Sequence, residues 1–448
     1  MQYHVVVARP EDGSILALPS SGGWCVPVFT PQTTDPRIVE HVNAEMRRQL
    51  GFEIWTLKCA ARGEYNGEDW RIFMAIAREP AVAAQQNAMW IGQCEASSLK
   101  FAIPAINDAV AAWFAGIDSP SELRSPWETI GWHDSTCDWI RAELAARGID
   151  VYAPIAQQRA WGISCTMLAR TDAGDFYFKA TPPFMAHEGR IMQAIGERCP
   201  QLLPAPIAAD AERGWLLMPD YGSDMLHECA DIARWEEALR VFAQTQVEQA
   251  AHAREWLALG CPDRRLGRMV ELIDPLIASC SRMLAGGANG LSQEEVQALR
   301  SLSMPLKMMC ARLAQLGIPH TLVHGDIGGN ILMQEDGYTF FDWTDVCISH
   351  PFFDMATVSS TYFDVLVLDK IEDADRRLRD AYLEPWTAYE PMERLIEAFE
   401  ASKPLGALHQ AMSYVWIITN IAPDARPEPE GGLLHWTRNL LRLCGRAQ

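Results

Sequence analysis

Along "YHVVVARPEDGSILALP", residues 3 to 19, two apolar runs flank a Glu-Asp-Gly turn, a pattern that predicts a β-hairpin. In "PRIVEHVNAEMRRQLGF" the rhythm changes: Ile38, Val39, Val42, Met46 and Leu50 recur at three-to-four spacing, and Gly51 stands where a helix ends. "FEIWTLKCAARGEYN" and "WRIFMAIAREP" read as further strands, and "IPAINDAVAAWF" as a closing helix. The Ser-, Pro- and Gly-rich passage "GIDSPSELRSPWETIG" marks a boundary. The expected organisation is therefore a small α/β domain over 1–118, a linker with a helix over 119–150, short strands with one helix over 151–222, and a mainly helical region over 223–448.

Composition narrows the class. With 448 residues, 49% hydrophobic and 21% charged, the chain is long enough for two or three packed domains and reads as a soluble globular protein. No run approaches the roughly 18 to 20 apolar residues of a membrane span, and the start lacks the basic flank of a signal peptide. Twelve cysteines stand singly, with no C-x-x-C pair, which fits a reducing cytoplasm and cysteines used as small apolar residues. A net charge of −20 argues against nucleic acid as a partner, because phosphate contacts need clustered Lys and Arg. The same charge is compatible with a cationic substrate, or serves solubility alone.

The densest chemistry lies in "HTLVHGDIGGNILMQEDGYTFFDW", residues 320 to 343. "ILMQEDGYTFF" reads as a hairpin turning at Glu335, Asp336 and Gly337, which would bring Asn330 and Asp342 to one end. Two carboxylates and an amide are hard oxygen donors of the kind magnesium takes when it also binds phosphate oxygens. A carboxylate left off the metal could accept a proton from a hydroxyl, which is the equipment of phosphoryl transfer from a nucleotide.

"HGDIGGNIL" followed by "FFDW", with "HPFFDMA" beyond it, resembles the catalytic and metal-binding segments of the aminoglycoside phosphotransferase family, whose members share the protein-kinase-like fold. The resemblance implies an α+β, bilobal architecture with a small β-rich N-lobe and a large helical C-lobe, covering about 151–448. It makes Asp326 the catalytic base, Asn330 and Asp342 the magnesium ligands, and His324 a brace for the loop. Kinase-type loops place the metal Asn five residues after the base; here it follows four after, and Gly328 and Gly329 are expected to absorb the difference through backbone angles closed to other residues.

An upstream lobe should then carry a phosphate-clamping lysine. Lys179 ends the second strand of "WGISCTMLARTDAGDFYFKA", where it is either a solvated edge residue or a nucleotide ligand. By the resemblance Glu188, on the next helix, pairs with it, the backbone from Met218 to Asp220 meets an adenine, and Gly162 marks a short phosphate loop. The implied cofactors are ATP (or GTP) and Mg2+, the implied partner a small molecule with a hydroxyl, with no membrane and no nucleic acid. A pseudokinase, a nucleotide-responsive binding protein, is the alternative. A protein kinase fits less well, since fewer than a dozen residues separate Asp342 from "HPFFDM".

Residues 1–118 resemble a Nudix domain in their order of hairpin, glycine-bearing strand, helix ending in Leu-Gly-Phe, strands and final helix. Working Nudix helices end in a Glu-Glu pair, but Arg48 and Gln49 stand there and leave Glu45 as the remaining carboxylate. A non-catalytic recognition or packing module is expected.

Overall fold

A computed structural model of the chain describes residues 1–20, 23–65, 67–78, 88–101, 103–116, 122–286, 290–359 and 372–445. Part of the predicted Ser/Pro-rich boundary, 117–121, lies outside them, as do Asn66 and the end of the strand segment at 79–80. The chain is mixed α+β and divides into two compact units, the first taking in Met1–Phe184, Trp215–Asp220 and Asn420–Pro427, the second the remainder.

The first unit begins with the predicted hairpin: β1 (Gln2–Ala8) pairs antiparallel with β2 (Ile15–Ser20). With β3 (Gly23–Cys25), β4 (Val28–Phe29), β5 (Ile54–Tyr65), β6 (Glu68–Ala77) and β7 (Met89–Ile91) these form a seven-stranded sheet of main order β3-β2-β1-β6-β5, in which β1 and β6 run parallel. Alternation along the strands gives the sheet two buried faces. Tyr3, Val5, Val7, Phe73 and Ala75 pack against Val42, Met46 and Leu50 of the helix Glu40–Leu50. That helix ends, as its sequence predicts, at Gly51, whose φ of 80° is a left-handed cap. It starts later than the apolar rhythm suggested. Ile38 instead bridges Arg159, and the Val39 N–H donates to the Gln158 carbonyl, so these two apolar residues dock the helix entrance onto a neighbouring strand. The opposite sheet face meets the helix Pro104–Gly116 through Ile106, Ala109 and Val110.

The same unit holds β8 (Ala156–Trp161), β9 (Ser164–Thr171), β10 (Gly174–Ala180) and β12 (Trp215–Pro219), antiparallel in the order β8-β9-β10-β12. A buried polar knot joins them to the seven-stranded sheet. The Gln157 amide accepts from Asn43 Nδ2 (3.0 Å) and the Thr56 N–H (3.0 Å) and donates to the Thr56 carbonyl (2.8 Å), while the Thr56 hydroxyl donates to Asn43 Oδ1 (2.7 Å). Each group in it is buried, so removing one side leaves unpaired polar atoms at about 1–3 kcal/mol apiece. Phe178 and Trp215 meet Trp132 and Trp139 of the helix Trp132–Ala145 at centroid distances of 5.5 to 6.1 Å, covering the other side of β10 and β12.

The second unit is mainly helical, with the short strand β11 (Ala208–Asp210) near its start. Its helices include Ile232–Gln249, capped by Asp231, which accepts from the Ala233 N–H, and Met392–Asn420, which runs through Pro404. Between them lie two small ladders: β13 (Thr321–Val323) with β16 (Cys347–Ser349), and β14 (Ile331–Gln334) with β15 (Gly337–Phe340). Trp235, Trp256, Trp343, Trp386 and Trp436 are fully buried, so most of this region's tryptophan is core. Among the described residues no helix is long and apolar enough to cross a membrane.

Candidate phosphotransfer site

The second unit builds its polar centre on the two small ladders. β14 and β15 turn through Glu335 and Asp336, with Gln334 facing Gly337 and Ile331 facing Phe340. The ladder runs one bond past its strands, the Phe341 N–H donating to the Asn330 carbonyl at 3.1 Å. Asn330 and Asp342 therefore stand at one open end of the hairpin, where the sequence pattern predicted them.

Asp326 reaches the same place from β13. A turn spans Ile327 to Asn330, closed by the Asn330 N–H donating to the Ile327 carbonyl at 3.1 Å. Asn330 Nδ2 donates to the Asp326 carbonyl at 2.7 Å and lies 3.5 Å from its carboxylate. With its nitrogen so engaged, the remaining polar atom of the amide is the oxygen Oδ1. The expectation about the shortened loop is corrected here: neither Gly328 nor Gly329 takes a positive φ. The four-residue spacing closes as an ordinary turn. A Cβ on Gly329 would meet nothing within 4 Å, and the Gly328 N–H donates to Thr357 Oγ1 at 3.3 Å.

The glycine that the loop needs is Gly325. Its φ is 86°, and a Cβ there would lie 2.6 Å from the Asp345 carbonyl oxygen and 2.8 Å from the Asp345 Cβ. This close approach brings the segment after Asp342 against the segment before Asp326. His324 ties the same two segments: it is fully buried, its Nδ1 accepts from the Asp326 N–H at 3.3 Å, and its Nε2 contacts the Phe341 carbonyl at 2.9 Å. An Nδ1 that accepts requires the proton on Nε2, which then donates to Phe341; the tautomer is assigned from this network. The ring also lies 4.4 Å from that of Trp343.

Asp342 itself is left-handed, at φ 60° and ψ 64°, and its Oδ1 accepts from the Thr344 hydroxyl at 2.6 Å. Such a conformation costs a β-carbon residue about 1–2 kcal/mol and concentrates where function holds it in place. Asp354, fully buried, braces the loop from below, accepting from the Gly325 N–H (2.7 Å), the His324 N–H (3.2 Å) and Gln246 Nε2 (2.8 Å). Gln246 is held in turn by the Tyr382 hydroxyl at 2.6 Å and donates to the Leu322 carbonyl at 2.9 Å. Burial pushes the Asp354 carboxyl up to about 7, against three hydrogen bonds that favour its anion.

Asp326 is raised to the same extent as Asp354. Crowding by protein raises its carboxyl to about 7, and Asp345, Asp342 and Asp354, all of its own sign, push the same way, with Asn330 acting against them. Its side chain nevertheless reaches solvent, as does that of Asp342. Water on that side softens the shift without changing its direction. A carboxylate beside an amide oxygen supplies hard oxygen donors of the kind magnesium takes. Asn330 and Asp342 offer two such oxygens, and among the described residues no group of three or more His, Cys, Asp or Glu side chains is arranged to hold a metal ion; Asp345 is a nearby carboxylate that sequence reading passed over. Its signal was its place three residues after Asp342 in "DWTD".

The other expected residues belong to both units. Glu188 is buried on the helix His187–Arg198 of the second unit. Lys179, in the first unit, faces Thr166 on β9 and Leu216 on β12 and is 8% exposed, so it is an interior strand residue and not a solvated edge. Met218 pairs with Tyr177, and Asp220 donates its N–H to the Asp175 carbonyl at 2.9 Å. Gly162 lies in the β8–β9 turn, where a Cβ would come within 2.9 Å of Ala425 and where its carbonyl accepts from Ser125 at 3.2 Å. Near the chain start, Glu45 is held by Arg48 and, at 2.8 Å, by Gln49.

Residues 155–395, more than half of the chain, match the Phosphotransferase enzyme family, and the chain belongs to that family. It is a phosphotransferase by class. Among solved structures it is similar to a macrolide 2'-phosphotransferase type I (14% identity, 67% of this chain and 97% of that one, TM-score 0.46). Others are an ethanolamine kinase of Plasmodium vivax (11%, 68% and 88%, TM-score 0.47) and a choline kinase of Cryptosporidium parvum (10%, 70% and 97%, TM-score 0.48). Comparison with curated proteins gives no match.

Proposed function

We propose that the protein transfers the γ-phosphate of ATP (or GTP) to a hydroxyl of a small molecule, with the protein-kinase-like bilobal architecture that its family membership supports. The observation carrying this reading is the juxtaposition of Asp326, Asn330 and Asp342 on one turn and one hairpin end, braced by His324 and Asp354. Asp326 accepts the proton of the acceptor hydroxyl as the acceptor oxygen bonds to phosphorus and the bond to the nucleotide diphosphate breaks. A magnesium ion on Asn330 and Asp342 would neutralise charge on the phosphate oxygens. Because such transfer rests on positioning and charge neutralisation, the braces matter alongside the base. Lys179 and Glu188 are assigned to the phosphates, and the segment Met218–Asp220 to the adenine, on the family resemblance. Gly162 keeps a place in the nucleotide loop only as its turn residue. A net charge of −20 favours cationic acceptors in the encounter. The region 1–118 is read as a Nudix-like module without hydrolase activity, since Arg48 and Gln49 occupy its remaining carboxylate. The test is ADP release with magnesium and ATP across aminoglycosides, macrolides, nucleosides, sugars and amino alcohols, with Asp326→Asn as blank. Release above the blank for one acceptor class is expected. Thermal stabilisation by magnesium and ATP with no release for any acceptor would replace the enzyme with a nucleotide-binding regulator.

A further inference from the structure

On the sheet face turned away from the helix Glu40–Leu50, a cavity of about 430 Å³ lies between β5 and the helix Pro104–Gly116, a size suited to a small organic ligand. Both of its walls depart from ordinary packing. Ala105, Ala109, Ala112 and Gly116 follow helical spacing on one face, so the helix withdraws side-chain volume where a core would fill it. On the strand, the pairing with β6 skips at Leu57 and again at Ala60, two bulges within a few residues, and both line the cavity. Bulges re-aim side chains and gather beside functional sites.

The cavity is apolar along Leu57, Met74 and Trp113 and charged at one end. There Lys58 contacts Glu128 at 2.9 Å and Asp424 at 2.5 Å; Asp108, which is exposed, also lines the cavity. With Arg124, whose Nη2 donates to the Gly116 carbonyl at 2.7 Å, the lining carries three carboxylates against two cations. The excess is negative, in a protein whose whole charge is −20.

Two short segments close the charged end, and each also holds the β8–β9 turn. Glu128 ends the segment whose Ser125 hydroxyl donates to the Gly162 carbonyl at 3.2 Å. Asp424 adjoins Ala425, which packs where Gly162 lacks a Cβ, 2.9 Å from its ideal position. Lys58 thus ties together the strand, both closing segments and, through them, the turn.

We propose that this cavity is a second small-molecule site, taking an organic cation with an apolar body and an ammonium head, and that its occupant steadies the β8–β9 turn at Gly162. The proposal does not depend on the phosphotransfer reading, and its test avoids turnover. The full chain is titrated with tryptamine, tryptophol and indole-3-acetate, which share a ring system and differ in charge, while the melting temperature and hydrogen exchange of the 161–165 segment are followed. Tryptamine is expected to raise Tm by about 2 °C or more at saturation and to slow exchange at 161–165, well ahead of the other two. Ala112→Trp, filling the mouth from an exposed position, should remove both effects. Asp108→Asn should weaken tryptamine several-fold and leave tryptophol unchanged. Failure of all three probes, an equal response to indole-3-acetate, or a tryptamine shift that survives Ala112→Trp would overturn the site. A Tm shift with unchanged exchange at 161–165 would overturn its link to the turn.

Discussion

At the scale of single residues, the candidate site is a set of small hydrogen-bonding decisions. His324 fixes the distance between two loop segments because one nitrogen accepts from Asp326 and the other donates to Phe341. Replacing His324 by Leu keeps the volume but breaks both bonds, and should lower turnover through a poorer kcat with little change in the KM for ATP. Asp326→Asn removes the proton acceptor while keeping the shape, and should cost about 10²- to 10⁴-fold in kcat, the usual worth of a positioned base. An undiminished kcat would remove Asp326 from the chemistry. Asp354→Asn puts an amide where three donors converge, and should lower stability by about 1–3 kcal/mol in denaturant melts. That Asp326, Asn330 and Asp342 come together was legible in sequence from the hairpin between the last two and the short spacing of the first two. Gln246 was not: its bond to Asp354 spans more than a hundred residues and leaves no local pattern.

At the scale of elements, the hairpin over 331–341 and the strand pair ending in Lys179 were readable from alternation and turn residues, and both are present. The turn after Asp326 was misread because two adjacent glycines suggest forbidden angles, whereas here they serve a plain turn. The demanding glycine, Gly325, is visible only once Asp345 is packed against it. Gly325→Ala should therefore destabilise the fold by more than the roughly 1–3 kcal/mol of its φ alone, while Gly329→Ala, facing open space, should change the melt little. Similar costs for the two would contradict the loop geometry. The helix over 40–50 shows the reverse error, since Ile38 and Val39 obey the helical rhythm but are claimed by β8.

For the whole molecule, the first unit stitches residues 1–65 to β8 through a buried knot that neither segment can satisfy alone. Deleting residues 1–118 should consequently yield insoluble or unfolded protein; a truncated chain with an undiminished cooperative melt would contradict the shared core. Acid stability follows from buried histidines. Burial holds His133 and His350 down to about 3 and His409 well below the usual imidazole range. The unfolded chain takes up these protons from about pH 6.5 downward and the folded one does not, so stability is full above that value and falls as pH drops, each group contributing up to about 1.4 kcal/mol per pH unit. Asp354 and Asp326, both raised to about 7, work the other way between about 4 and 7, Asp326 less so because its side chain reaches water, while His4, His41 and His320, also held down by burial, add to the loss. Urea melts at pH 7.5, 6 and 5 should show a steady decline, smaller in His133→Gln.

The central claim is that Asn330 and Asp342 present their oxygens to one divalent ion beside Asp326. Manganese, standing in for magnesium, can be titrated by electron paramagnetic resonance into the full chain with ATP. The account predicts one bound ion per chain in the wild type, at least tenfold weaker binding in Asp342→Ala, and a milder loss in Asn330→Ala. Equal manganese affinity in the wild type and Asp342→Ala would contradict it.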